Sequence, residues 1–441
     1  MGDAGEHKEP INLRTDLHSD PHTDLHTDSR ADLRSDLHTA PHTDLRSGFI
    51  WHSANAFFYY ITIAVKGYLT VFLQLIGFSA TNIGIISAFN SGVGIVSQPF
   101  WGAMSDKLRS VKKVLILCIA VSSVAYAIIP FVSEMQLGRI NAIFFFAPIV
   151  FFFQTPTMNL FDNFMVRSAA VNKLDYGAIR AFGALSYAAM GLILGFILPS
   201  TGIEVTFYAS VLFIIPPLIM IGLSYGADSE NGKKNLTFKE MRFGQIAKSY
   251  YLMAFIIFTV ALRIPNVCAH TFLPYLVAAV GENTAQIGFI TGFRAFVEVP
   301  AMLLLKPLSK KVPMQYLLVC SGLLYGVADI LNSMAVNMTM LIAISVIHGV
   351  ANGLMLTASV RLVFILAPEH LKATAQTLMG AAGAIAGIIG SLIGGGLVDT
   401  IGVQKFYFIM GTISIASAIL YAASNIYGDK ILRIMRPKTD E

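Results

Sequence analysis

Ile83-Gly84-Ile85-Ile86-Ser87-Ala88-Phe89 returns 204 residues later as Ile287-Gly288-Phe289-Ile290-Thr291-Gly292-Phe293. Each copy follows a short polar break and opens an apolar run long enough to cross a bilayer, which takes about 20 helical residues. Beyond residue 48 the chain divides into twelve such runs, near 49-76, 81-104, 113-133, 140-165, 176-199, 205-225, 248-279, 285-305, 315-335, 338-364, 372-398 and 404-427. An offset of 204 residues is therefore half of the array. The pattern predicts an all-α membrane protein of twelve transmembrane helices in two six-helix pseudo-repeats, related by an axis along the membrane normal. Composition agrees, since 55% hydrophobic and 13% charged residues with a mean hydropathy of +0.65 lie outside the range of soluble globular chains.

The expected organisation is a His/Asp-rich, disordered cytoplasmic tail over 1-48, a first bundle over 49-225, a cytoplasmic linker over 226-247, a second bundle over 248-427 and a cytoplasmic tail over 428-441. Lys and Arg resist translocation and so mark cytoplasmic loops. Lys107, Arg109, Lys112, Lys113, Arg167, Lys173, Lys233, Lys234, Lys306, Lys310, Lys372 and Lys430 fall on one side of the array, and Arg139 and Lys405 on the other. An even number of spans then puts both termini in the cytoplasm, with the plasma membrane as the expected location. The formal charge of +5 hides this asymmetry, because the N-terminal tail holds ten acids against five Lys and Arg and leaves +10 on the rest. That surplus follows topology and anionic lipid, so no nucleic-acid partner is expected. The tail repeats D-L-[HR] from Asp16 to Asp44 and carries six of the ten histidines. His18, His22 and His26 have a spacing that suits a metal on one helical face, but Pro21 interrupts it, and a disordered arm is the simpler reading. Cys118, Cys268 and Cys320 have neither metal nor disulfide spacing and are expected to be free thiols.

Lys66, Asp162, Arg180, Arg263, Arg294, Glu298, Asp329 and His348 lie inside apolar runs. A charge at bilayer depth costs roughly 2.5–3.5 kcal/mol on insertion scales, so it pairs, lines an aqueous cavity and marks a solute or proton path. In the repeat, Asn90 corresponds to Arg294 and Gly94 to Glu298, which gives the second half a cation and a carboxylate at i, i+4, where side chains can meet. Gly92 and Gly94 suit close helix packing instead. A carboxylate whose cation neighbour approaches and withdraws can take up and release a proton, which makes Glu298 beside Arg294 a candidate switch. The cations Lys66, Arg180, Arg263 and Arg294 outnumber the acids Asp162, Glu298 and Asp329. That excess favours an anionic solute such as an aromatic carboxylate, unless Lys66 snorkels to the outer interface.

Between the second and third runs the chain reads Gln98-Pro99-Phe100-Trp101-Gly102-Ala103-Met104-Ser105-Asp106-Lys107-Leu108. A Gly lets helix ends approach, and an Asp there can accept bonds from exposed backbone N–H groups or an Arg, forming a latch that breaks and remakes. Through Gly102, Asp106 and Lys107 the segment resembles the G-x-x-x-D-[RK] gate motif of the major facilitator superfamily, and it departs from the fuller pattern at Arg109, where a second Gly is usual. Asp162, followed by Tyr176-Gly177-Ala178-Ile179-Arg180-Ala181-Phe182-Gly183, is similar to a helix 4 acid and helix 5 motif of the lactose permease, phenylpropionate permease and nucleoside proton symporter group. This resemblance implies substrate contact at Asp162 and Arg180, and at Tyr187 in place of a sugar-stacking Trp. It implies proton coupling at Glu298 and His348. The group's proton-bearing acid falls at Ala351 and its helix 9 Arg at Ala328, so the path is expected to be rearranged through Arg294 and Asp329. A purely structural Asp162–Arg180 pair and a satisfied interhelical His348 are the alternative readings.

The expected function is secondary active transport by alternating access, as proton-coupled symport of a sugar, nucleoside or aromatic acid. No cofactor is expected beyond the proton gradient as driving force, and the partners are a small-molecule substrate and the lipid bilayer around a monomer. Proton-driven efflux of amphipathic compounds, accommodated by Phe144 to Phe146 and Phe151 to Phe153, and a solute sensor that moves nothing are the alternatives. The chain carries no nucleophile and base pair, metal cluster or Walker sequence, so neither an enzyme nor an ATP-driven pump is expected.

Overall fold

The computed structural model describes residues 45–224, 250–308, 311–367 and 372–435. Among them are 12 helices long and apolar enough to cross a membrane. They are α1 (Arg46–Leu75), α2 (Ala80–Lys107), α3 (Val111–Ser133), α4 (Ile143–Val171), α5 (Tyr176–Thr201), α6 (Glu204–Leu223), α7 (Tyr250–Thr271), α8 (Thr284–Leu304), α9 (Met314–Ser333), α10 (Met338–Val363), α11 (Leu378–Ile401) and α12 (Val403–Tyr427). The expected linker lies outside the described residues, as does the tail up to residue 44 with its histidines. Cys118, Cys268 and Cys320 are free thiols.

Several ends differ from the sequence reading. Leu45 is already helical, inside the expected tail. The last helix runs on to Met435, through most of the expected C-terminal tail. Ile140 and Asn141 pair with Leu137 and Gln136 in a two-stranded hairpin, so α4 starts later than expected and continues to Val171. It is interrupted at Thr155 and Pro156, where proline lacks a backbone N–H and clashes with the preceding turn. Breaks also divide α1, at the 3-10 turn Lys66–Tyr68 before Leu69–Leu75, and α7, at Phe272 before Leu273–Ala279. The first and seventh helices thus share a break at matching positions of the repeat.

Helix starts follow side-chain capping. Ser79 accepts from Asn82 N, Ser110 from Lys113 N, Asp175 from Gly177 N and Asn337 from Met340 N. Arg109 has φ of 48°, the left-handed conformation, at a cost of about 1–2 kcal/mol for a residue with a Cβ. The position where the gate motif usually has glycine therefore keeps the backbone geometry that glycine would favour.

Helix ends near Lys107, Lys112 and Lys173 define a basic face, and those near Arg139 and Lys405 the opposite face. On the opposite face the halves touch. A Cβ on Gly84 of α2 would lie 2.3 Å from Ser391 O of α11, and one on Gly288 of α8 would lie 2.2 Å from Gly191 O of α5, so only glycine permits these approaches. Tyr275 Oη donates to Phe78 O at 2.6 Å and Gln74 Nε2 to Pro274 O at 3.3 Å. Toward the basic face, Gly102 of α2 and Gly380 of α11 have open space before them. The close approach expected at Gly102 is thus not made in this conformation, since no heavy atom lies within 4 Å of a Cβ built there.

Asp399 of α11 fastens the closed side. Its carboxylate accepts from Ala80 N at 3.0 Å, Thr81 N at 2.7 Å and Thr81 Oγ1 at 2.6 Å. The first N–H groups of a helix have no intrahelical partner, and a negative charge suits that end. Asp399→Ala removes all three bonds, a loss of about 1–2 kcal/mol on the N-cap scale, or a shift of about 5- to 30-fold toward opening of this face. Spin labels at Met135→Cys and Val336→Cys, both exposed on this face, in a Cys320→Ser background, read the shift as a longer interlabel distance. An unchanged distance distribution would show that Asp399 does not hold the halves together.

Candidate functional site

Asp162 and Arg180 come together across the turn between α4 and α5. Asp175 caps α5 directly after α4 ends, which sets the two helices antiparallel and their side chains at one depth. Arg180 Nη1 donates to Asp162 Oδ1. The side chains remain 31% and 30% exposed although both lie within spans, so neither is sealed in the core, as suits charges that face an aqueous path. Tyr60 of α1 covers the guanidinium, with Arg180 Cζ 5.0 Å from its ring centroid, a distance at which cation and ring attract. The Tyr60 ring rests on Gly183, where a Cβ would come within 2.4 Å of it. That contact gives the last Gly of the helix 5 motif a physical purpose. A stack of Tyr59 on Phe161, 3.8 Å between centroids, and a 3.2 Å bond from Tyr59 Oη to Thr157 Oγ1 hold α1 against α4.

In the second half the charges are arranged differently from the sequence reading. Glu298 and Arg294 form no ion pair. Instead Asn352 Nδ2 of α10 donates to Glu298 Oε2 at 2.7 Å, and Tyr325 Oη of α9 donates to Asn352 Oδ1 at 2.7 Å. A neighbouring helix thus takes the carboxylate, while Arg294 lines a cavity of about 20 Å³ with Asn332, Ser345, His348 and Tyr407, room for about one water molecule. His348 Nε2 lies 3.0 Å from Asp329 Oδ1 and 3.4 Å from Asn332 Nδ2. Both Asp329 and His348 are buried, and Asp329 Oδ2 and His348 Nδ1 have no partner. The pair joins α9 to α10 yet keeps unused hydrogen-bonding capacity beside a water-sized space.

Arg263 of α7 lines a further pocket of about 60 Å³ with Asn266, Tyr325, Asn352 and Ser359. Among the described residues neither Arg263 nor Arg294 has a carboxylate ion-pair partner. Tyr187 is half-buried one residue before Ala188, whose carbonyl meets Gly292 of α8. It stands where α5 meets α8 and packs against the first-half core as well. Lys66 does not snorkel. It sits buried at the break in α1, donates to Ser122 Oγ of α3 at 3.1 Å, and its carbonyl accepts from Tyr126 Oη at 2.9 Å. Gly102, Asp106 and Lys107 close the basic end of α2, away from all of these groups.

Tyr60 and Asn352 were not singled out as site residues by the sequence reading. Asn352 stands four residues after His348, on the same face of a helix, and that spacing is its detectable signal. Tyr60 follows another tyrosine in an apolar run, and nothing local separates it from core aromatics.

The family model described as the MFS_1 like family matches residues 49–409. The chain belongs to that family. Among its relatives, the transporter YwbF of Bacillus subtilis (strain 168) is 26% identical over 345 residues, 77% of this chain and 83% of that protein. The maltose permease of Geobacillus stearothermophilus is 23% identical over 350 residues, 78% of this chain and 86% of the permease. Among solved structures, the nucleoside transporter NupG superposes with a TM-score of 0.72 at 14% identity, covering 87% of this chain and 99% of NupG. This MFS_1 like protein therefore has the major facilitator fold, with twelve helices in two six-helix halves, and is a multi-pass membrane transporter.

Proposed function

We propose that the protein is a proton-coupled symporter that takes up a small polar organic solute, a sugar, a nucleoside or an aromatic acid, by alternating access. The observation that carries this reading is the partly exposed Asp162–Arg180 pair under Tyr60. A carboxylate beside a planar donor fork offers acceptors and donors at fixed spacing, which suits hydroxyl and carboxylate groups, and the aromatic ring adds a face for a sugar or base. The names of the maltose permease and NupG point to the sugar and nucleoside classes, while unpaired Arg263 and Arg294 leave room for an acid.

In this reading the basic face is cytoplasmic, both termini lie there, the membrane is the plasma membrane, and the closed opposite face makes the conformation inward-open. Gly102, Asp106 and Lys107 form the cytoplasmic gate that closes in the other half of the cycle. Glu298, Arg294, His348 and Asp329 carry proton coupling, with the proton gradient as the driving force and a monomer as the working unit. Proteoliposomes given an acid exterior should concentrate labelled maltose, uridine or benzoate, and a protonophore should collapse the gradient of solute. Accumulation that survives the protonophore, or an absence of exchange with all three classes, would overturn the proposal.

A further inference from the structure

We propose that a groove on the opposite face, between α2 and α4, binds an anionic phospholipid. The groove has a volume of about 840 Å³ and is walled by the α1–α2 turn, the hairpin before α4 and the first turns of α4. Its composition changes with depth. Arg139 and Asn141 stand at the rim, at the level of the helix ends, with Phe144 and Phe145 just below them in the first turn of α4, while Phe89 reaches deepest. Phe89 lies nine residues into α2, about 13 Å at 1.5 Å per residue, close to half of a hydrocarbon core of roughly 30 Å. The groove thus runs from headgroup level almost to the bilayer midplane, the path of one acyl chain below its phosphate.

Two features make it a site and not merely a lipid-facing surface. Phe89 and Phe145 are 53% and 57% exposed, so the protein leaves the groove uncovered from its upper wall to its deepest point. Phe78 is fixed in the wall by the bond that its carbonyl accepts from Tyr275 and by the Phe144 ring 6.0 Å away, so the shape is formed before any lipid arrives, which lowers the cost of binding. Charge selects the headgroup, because the guanidinium of Arg139 matches a phosphate with two parallel bonds. Net negative headgroups gain most from it.

The test places a tryptophan in the groove. Phe89→Trp, or Phe145→Trp should the first variant not fold, is reconstituted with phospholipids brominated along the chain, either phosphatidylglycerol or phosphatidylcholine. The native Trp51 and Trp101 lie toward the basic face, so the difference from the parent protein isolates the new residue. Brominated phosphatidylglycerol should win the groove about fivefold over brominated phosphatidylcholine, the preference expected from one interfacial cation. Adding Arg139→Gln should bring the ratio to one. Equal quenching by the two lipids with Arg139 intact, or a preference that Arg139→Gln leaves unchanged, would overturn the proposal in favour of ordinary annular lipid.

Discussion

Asp162→Ala and Arg180→Ala should each abolish solute counterflow in proteoliposomes, by about 30-fold or more, while the protein still folds and inserts. Truncating one member of a hydrogen-bonded charge pair costs about 2–5 kcal/mol when the pair is buried. Here both side chains are about 30% exposed, so solvent screens part of that value and the lower end applies. The expected loss falls on solute and not on the fold, because the remaining partner is partly exposed and can be solvated. Arg180→Lys should restore charge but little transport, since an ammonium cannot reproduce the planar fork or its contact with Tyr60. Counterflow at the parental rate in both Ala variants would reduce the pair to a structural tie between α4 and α5.

Glu298→Gln should separate accumulation from exchange. The Gln side chain keeps the size of Glu and still offers an oxygen to Asn352 Nδ2, so the bonds among α8, α9 and α10 survive. What it cannot do is carry a proton. Exchange of loaded carrier needs no net proton movement, whereas accumulation does, so counterflow should persist and uptake driven by a pH gradient should vanish. A variant that concentrates solute as the parent does would pass the coupling role to the Asp329–His348 pair.

The membrane architecture was legible in the sequence because each span must satisfy its backbone internally and present about 20 apolar residues. The repeat at Ile83 and Ile287 and the lysines of the basic loops supplied halves and a sidedness to test. Asp162 and Arg180 were legible for a local reason: a tight turn between antiparallel helices converts equal sequence distance into equal depth. Asn352 was not, because three helices decide which group Glu298 meets, and an i, i+4 spacing to Arg294 on one helix cannot outweigh a donor arriving from another. Lys66 was legible as a cation within a span, but its partner was not. A break in its own helix turned it toward Ser122, and hydropathy carries no information on breaks.

Those breaks have a mechanical consequence. Beyond them, Leu69–Leu75 and Leu273–Ala279 are each 7 residues long, about 10 Å of helix, and they stand at matching positions of the two halves. Gln74 and Tyr275, which tie the halves together, lie in these outer segments. In the alternating-access cycle proposed above, two short levers hinged at Lys66–Tyr68 and at Phe272 are expected to swing while the bodies of both bundles stay still, so that sealing the solute path and rocking the halves become separable strokes.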